Sequence, residues 1–319
     1  MNVLFSIGKA YSPIRDLFVR RLQSLGVDVV CLVYEQAMDK RTIIEYIKDA
    51  TIYITAVAKA DCEVIDAAPH LKYIIKTGTG VDNIDVGYAT EKGIMVSNAP
   101  GANANSVAEL VIGLMISLSR TLPLLDLQTK NGQWATSVGF ECHGKTLGII
   151  GLGAIGKRVA GYAAAFSMKL LAYTHHKESS VARKLGIQFV SLETLLAESD
   201  YILVSTSLAP STVHLINGEA LHLMKQSAFL INISRGALVD EHALFEALRQ
   251  NKIRGAALDV FEIEPPSQAI GQLDNLIATP HIGGTTLESA YRVADVTVEN
   301  VRRFVAHQPV LHLLNELPK

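Results

Sequence analysis

Residues 146–156 read Thr-Leu-Gly-Ile-Ile-Gly-Leu-Gly-Ala-Ile-Gly, a short apolar β-type run that passes directly into a G-x-G-x-x-G and then into helix-forming sequence. Few folds admit that succession. Gly151 permits a tight turn after a strand, Gly153 lets the backbone approach a pyrophosphate, and Gly156 lets the helix pack on the strand. The helix N-terminus, with Ala154 and Ile155 in its first turn, offers free N–H groups and a partial positive charge to phosphates. A glycine-rich turn without a ligand is the bland alternative. The strand before and the helix after favour a dinucleotide site.

The rest of the chain fits a sheet of that kind. The N-terminal third alternates strands (Val3–Ile7, Val27–Val33, Thr51–Thr55, Leu71–Ile75, Ile94–Ser97) with helices started by Ser12-Pro13, Asp39 and Asp61, the pattern of βα units feeding a parallel sheet. A helix over about Ala102–Ser119, apolar on nearly every face, marks a junction. A second series follows, with strands Leu147–Ile150, Leu170–Tyr173, Tyr201–Val204, Phe229–Ile233, Gly255–Asp259 and Leu276–Thr279, a six-strand count. The last helix, Thr286–Val305, has no strand after it and is expected to cross back and complete the first domain. The fold class is α/β, with two doubly wound parallel-sheet domains.

Bulk properties limit the partners. The chain has 319 residues, 49% hydrophobic and 19% charged, which suffices for two buried cores. Its net charge of −2 favours neither nucleic acid nor an anionic membrane, so a small molecule or a second copy of the chain is expected. Cys31, Cys62 and Cys142 lie far apart and odd in number, no histidine cluster has metal-ligand spacing, and no signal sequence or bilayer-length apolar run is present. These features predict a cytoplasmic protein with no metal site.

The second strand of the cofactor domain should end in an acid about 20 residues after the glycines if the ribose carries a free 2′-hydroxyl. Here Thr174, His175, His176 and Lys177 stand in that place. A hydroxyl, two imidazoles and an ammonium suit a 2′-phosphate, which favours NADP over NAD, although Lys177 is also readable as a solvated surface charge.

Three polar groups follow later strands: Arg235 in Asn-Ile-Ser-Arg-Gly236, Glu264 in Asp259-Val-Phe-Glu-Ile-Glu, and His281 in Thr279-Pro-His-Ile-Gly-Gly284. Ligands of open α/β sheets bind beyond the carboxyl ends of strands, so all three can face one crevice. Reduction of a keto acid requires a cation for the carboxylate, a proton donor for the carbonyl oxygen and a carboxylate beside that donor. Arg, His and a buried Glu supply these. Singly, each is also readable as a surface cation, a loop acid and a structural histidine.

The segments GLGAIG, NISRGALVDE, GAALDVFEIEPP and TPHIGG, in that order, resemble the D-isomer-specific 2-hydroxyacid dehydrogenase family along essentially the whole chain. The resemblance implies a Rossmann cofactor domain (residues 99–287) inserted in a split flavodoxin-like substrate domain (1–98 plus 288–319). It gives Arg235 the role of substrate-orienting cation, Glu264 that of carboxylate partner, His281 that of acid/base, and Asp259 the nicotinamide end. It also implies cofactor contacts at Ser205, Thr206, Ser207, Thr212, Ile233, Ser234, Arg235, His281, Gly283 and Gly284, and a homodimer. Lys76-Thr-Gly-Thr-Gly-Val-Asp-Asn83 resembles the family's substrate loop, with Thr79, Gly80 and Val81 at the substrate carboxylate; from the residues alone a plain tight turn fits equally.

The stretch 101–109 resembles the phosphoglycerate dehydrogenase branch, against which stand several departures. Thr174 replaces an acid, Ser205 and Ser207 replace a His and a Pro, the 54–59 stretch carries no Arg, and the chain stops at Lys319 without a regulatory extension. A small unphosphorylated 2-keto acid such as hydroxypyruvate or glyoxylate is therefore expected on the same footing as a phosphorylated one. The alternative in another class is a cofactor-sensing binding protein similar to the corepressors of the same fold.

Overall fold

The computed structural model describes residues 1–317. It divides into two compact units, Met1–Asn103 with Thr285–Lys319, and Ala104–Gly284.

The first unit runs β1 (Asn2–Ile7), α1 (Arg15–Gln23), β2 (Asp28–Val33), α2 (Lys40–Ile47), β3 (Ile52–Thr55), α3 (Cys62–Asp66), β4 (Tyr73–Lys76), α4 (Val86–Glu91) and β5 (Met95–Ser97). Its strands are all parallel, in the order β2-β1-β3-β4-β5. Helices cover both faces, so β1, β3 and β4 are buried nearly end to end rather than at alternate residues. Asp39 and Asp61 cap α2 and α3 by accepting from Thr42 and Val64 N–H, as the sequence leads one to expect. The Ser12-Pro13 start is corrected. Residues 9–14 wind as a 3-10 helix with Pro13 inside it, and α1 begins at Arg15. The buried Tyr11 ring anchors that tighter turn through its hydroxyl, which donates to Thr77 O at 2.8 Å.

The second unit runs α5 (Ala104–Arg120), α6 (Leu122–Lys130), β6 (Thr146–Ile150), α7 (Ala154–Ala164), β7 (Lys169–Tyr173), α8 (Ser179–Leu185), β8 (Ile187–Phe189), α9 (Leu192–Glu198), β9 (Tyr201–Val204), α10 (Gly218–Leu223), β10 (Phe229–Asn232), α11 (Glu241–Arg249), β11 (Gly255–Leu258) and β12 (Leu276–Ala278). Its parallel sheet has seven strands, β12-β11-β10-β9-β6-β7-β8, one more than the sequence indicates. The extra strand is the three-residue edge strand β8. α5 is not uniformly apolar in its setting. Val107, Ala108, Val111, Leu114, Met115 and Leu118 are buried, whereas Glu109 and Ile116 are exposed.

The chain then returns to the first unit as α12 (Leu287–Val305), capped by Thr286, with Ala290, Val293, Ala294 and Val301 in the core that also holds Phe5, Phe18 and Tyr73. Asn300 on this helix donates to Ser97 Oγ at 3.2 Å and to Leu311 O at 3.1 Å, which ties the helix and the tail to β5. Among the described residues no single helix is long and apolar enough to cross a membrane.

Candidate active site

In the second sheet the chain runs outward from β6 through β7 to β8, then reverses from β9 towards β12. The reversal opens a crevice at the carboxyl ends of β6 and β9, where ligands of such sheets bind. The glycine turn lies there, and its three glycines do three different things. Gly151 has φ +92°, and a Cβ on it would stand 2.6 Å from the Thr206 backbone, so the turn is pressed against the end of β9. A Cβ on Gly156 would stand 2.5 Å from Gly151 O and 3.1 Å from Ile149 Cγ2, so α7 is packed onto the turn. Gly153, the N-cap of α7, has nothing within 4 Å of the corresponding point. That open cradle at a helix N-terminus fits a pyrophosphate.

The surrounding rim is partly occupied by internal bonds. Ser205 Oγ donates to Gly151 O at 2.7 Å, Ser234 Oγ donates to Thr206 O, and Thr212 Oγ1 donates to Ser207 O at 3.0 Å while accepting from Ala209 N–H at 2.8 Å. The Ile233 side chain is buried in the core, leaving only its backbone on the rim. Beyond β7, Thr174 is half-buried and His175, His176 and Lys177 are exposed. The nearest acid, Glu178, is paired with Lys157 of α7 at 2.6 Å.

Arg235 follows β10 in extended conformation, half-buried, with Nη1 donating to Ser234 O at 2.7 Å. The turn that presents it is built by Asn232, fully buried, which accepts from Ser234 N–H at 3.1 Å and donates to Arg235 O at 2.8 Å. The resemblance gives Asp259 the nicotinamide end, and the geometry adds an inward role. Its buried carboxylate accepts from Thr279 Oγ1 at 2.6 Å, Ile282 N–H at 2.9 Å and Gly283 N–H at 2.8 Å, on both sides of His281. A Cβ on Gly283 would stand 2.9 Å from that carboxylate.

His281 itself has φ +54°, a left-handed conformation that costs roughly 1–2 kcal/mol outside glycine and is held here by the Asp259 bonds. Its Nδ1 lies 2.9 Å from Glu264 Oε2 and 3.2 Å from Oε1. A carboxylate accepts only, so this contact assigns the proton to Nδ1 and leaves Nε2 to exchange one with a ligand. Glu264 is 40% exposed rather than buried, because it sits in an open loop beside the exposed Glu262 and Ile263.

In the first unit, the loop after β4 turns its carbonyls inward. Thr77 O accepts from Tyr11, Gly78 O from Ala99 N–H at 3.0 Å, Thr79 O from Asn98 Nδ2 at 2.6 Å, and Val81 O from Ile84 N–H at 2.9 Å. Burial pushes the Tyr11 hydroxyl up to about 12, against the opposing effect of its bond to Thr77, so it stays a donor. Among the described residues the fold uses none of the N–H groups of Gly78, Thr79, Gly80 and Val81, an arrangement able to receive an anion. Lys76 is buried beside it, with Nζ donating to Asn83 Oδ1 at 2.7 Å and to Ala56 O.

Asn232 and Thr279 do structural work that sequence reading does not single out. An Asn closing an apolar strand, in Phe-Leu-Ile-Asn, is the one available signal, since Asn is disfavoured in strands.

The chain is also similar to known proteins. Residues 112–283 match the model of the D-isomer specific 2-hydroxyacid dehydrogenase NAD-binding domain. A D-3-phosphoglycerate dehydrogenase of Methanocaldococcus jannaschii is 39% identical over 308 residues, which are 95% of this chain but 58% of that relative's length. A hydroxypyruvate reductase of Thermotoga maritima is 41% identical over 276 residues, 84% of this chain and 89% of the relative. The crystal structure of a glyoxylate reductase from Paecilomyes thermophila superimposes with a TM-score of 0.87 at 31% identity, covering 98% of both chains. The glycine turn at the sheet's reversal, the imidazole–carboxylate pair and these likenesses agree, and the chain belongs to the D-isomer-specific 2-hydroxyacid dehydrogenase family of nicotinamide-dependent oxidoreductases.

Proposed function

We propose that this protein interconverts a small 2-keto acid and its D-2-hydroxy acid, with His281 as acid/base, Glu264 as its partner and Arg235 orienting the substrate carboxylate. The observation that carries the proposal is the His281–Glu264 contact at 2.9 Å on the sheet that also bears the open Gly153 cradle. When bound, the nicotinamide supplies the hydride to the carbonyl carbon, or accepts it in the reverse direction. The chain manages the proton. In reduction, imidazolium His281 donates from Nε2 to the carbonyl oxygen as negative charge develops there, while Glu264, 2.9 Å from Nδ1, fixes the orientation of the ring. In oxidation the neutral ring takes the hydroxyl proton. Arg235 suits bidentate carboxylate recognition, and the amides of Thr79, Gly80 and Val81 suit the same chemical group.

The second unit (residues 99–287 in the sequence-based division) is assigned to the cofactor and the first (1–98 plus 288–319) to the substrate. NADP is favoured over NAD, supported by the exposed His175, His176 and Lys177 and by the engagement of Glu178 with Lys157. A small unphosphorylated 2-keto acid such as hydroxypyruvate or glyoxylate is proposed on the same footing as a phosphorylated one. In the stretch 54–59 Thr55 is buried, with its hydroxyl donating to Ala58 O at 2.9 Å, and Lys59 is the one cation. Relatives of both names share the fold and sequence. Trp134 and Val138, 90% and 91% exposed beside α6, support a homodimer, which light scattering tests; a monomer at micromolar concentration refutes it. The three free cysteines suit a cytoplasmic setting.

Initial rates of NADPH and NADH oxidation against glyoxylate, hydroxypyruvate, pyruvate, oxaloacetate and phosphohydroxypyruvate test the reading. Turnover of one of them, faster with NADPH, is expected. Tight cofactor binding without turnover of any would move the protein to the cofactor-sensing class.

A further inference from the structure

Glu264 sits in a loop that is open to solvent, yet the peptide two residues before it is held from three sides. Glu241, the first residue of α11, accepts from Glu262 N–H and gives its own N–H to Glu262 Oε1 at 3.3 Å. The same Glu262 oxygen meets His214 Nε2 at 3.1 Å, and His214 is tied in turn to the 236–238 turn by its N–H to Ala237 O at 2.8 Å. From the third side, Gly236 is pressed so closely that a Cβ on it would stand 1.9 Å from the Phe261 carbonyl carbon. Phe261 N–H then donates to Glu264 Oε1 at 3.2 Å, the oxygen that also lies 3.2 Å from His281 Nδ1.

The placement of Glu241 is costly. Burial pushes its carboxyl up, and the charges of Glu262 and Glu264 push the same way against the Glu262 N–H bond. A helix start needs no such arrangement, because Asp240 already caps α11 by accepting from Ala243 N–H at 2.9 Å. The bond from Glu262 to Glu241 has its consequence in the loop, where it fixes the peptide from which Glu264 reaches His281.

We propose that Glu241, Glu262 and His214 form a positioning clamp that sets Glu264 against His281. Through Gly236, the clamp also ties this pair to the turn that presents Arg235. The clamp residues touch no reacting atom; they act through Glu264. The inference rests on the assignment of His281 and Glu264 given above, and the test separates the two.

Glu241→Ala removes the acceptor for Glu262 N–H, and Glu241→Gln keeps one. With a coupling energy in the usual range for linked residues, Glu241→Ala is expected to lower kcat about tenfold while KM and cofactor Kd stay within about twofold. Glu241→Gln should stay within about threefold of the parent, and in a Glu264→Ala background, which lacks the contact altogether, Glu241→Ala should change kcat by less than about twofold. A second readout needs no turnover. The imidazole 15N shifts of His281 in the cofactor-free protein should report the Nδ1-protonated ring in the parent, its loss in Glu264→Ala, which removes the acceptor, and a partial loss in Glu241→Ala. Multiplicative effects of the two substitutions on kcat, or His281 shifts unchanged in Glu241→Ala, overturn the clamp. If no keto acid is turned over, the enzymatic reading fails, while the 15N spectra still decide whether the clamp holds the pair.

Discussion

Two of the glycines in the turn after β6 make a paired prediction, because a methyl group added at each meets opposite surroundings. At Gly156 the new Cβ would stand 2.5 Å from Gly151 O and 3.1 Å from Ile149 Cγ2, atoms of a backbone turn and a buried strand that have little freedom to retreat. Overpacking of that kind costs about 1–3 kcal/mol. For a unit of this size the corresponding fall in melting temperature is roughly 2–12 °C. At Gly153 the same methyl meets nothing within 4 Å, and the backbone there is extended at φ −81°, ψ −160°, which any residue adopts. Gly153→Ala should therefore lose no more than about 1 kcal/mol of stability, the usual difference between caps. If that space is where a pyrophosphate sits, the methyl blocks it, and cofactor Kd should rise about 10–100-fold, or about 1.4–2.8 kcal/mol.

Thermal unfolding of the cofactor-free variants and NADPH fluorescence titration separate the two effects. The expected pattern is a destabilised Gly156→Ala and a stable Gly153→Ala that binds cofactor weakly. A Gly153→Ala protein that binds NADPH within about threefold of the parent would refute the assignment of the cradle.

Other outcomes follow from the same geometry. His281→Ala should lower turnover by about 10²–10⁴-fold, with the cofactor Kd from titration raised by no more than about threefold. Thr174→Asp places a carboxylate at the end of β7 and should shift preference towards NAD; a retained NADPH preference in steady-state rates would remove the 2′-phosphate assignment. Glu241 has a raised folded-state pKa, so its contribution to stability is full below the ordinary carboxylate range and is lost as pH rises through the raised value. Accordingly Glu241→Gln should melt no lower than the parent at pH 7, and a lower melting temperature there would contradict the sign.

Much of the scaffold is legible in the sequence, and the failures share a cause. Strands such as Tyr201–Val204 are runs buried on both faces, and their apolar continuity announces them. α6 buries none of its residues and β8 is three residues long, so neither carries a periodic apolar stripe. The 3-10 turn at residues 9–14 accompanies the Tyr11 bond to Thr77, a partner 66 positions away. The site shows the same division. Gly151, Gly156, Arg235, Glu264 and His281 stand in motifs of fixed spacing. The work of Asn232, Gly236, Thr279 and Glu241 arises from contacts made only after the strands assemble. Glu241 meets Glu262 21 positions along the chain, and Thr279 meets Asp259 20 positions back.

The most direct test of the central claim is the fate of the hydrogen on the nicotinamide. Reduction of hydroxypyruvate by the protein with NADPH deuterated at the transferred C4 position should yield D-glycerate carrying one deuterium at C2, as read by mass spectrometry and proton NMR. Product without deuterium at C2, or of the opposite configuration, would contradict the account.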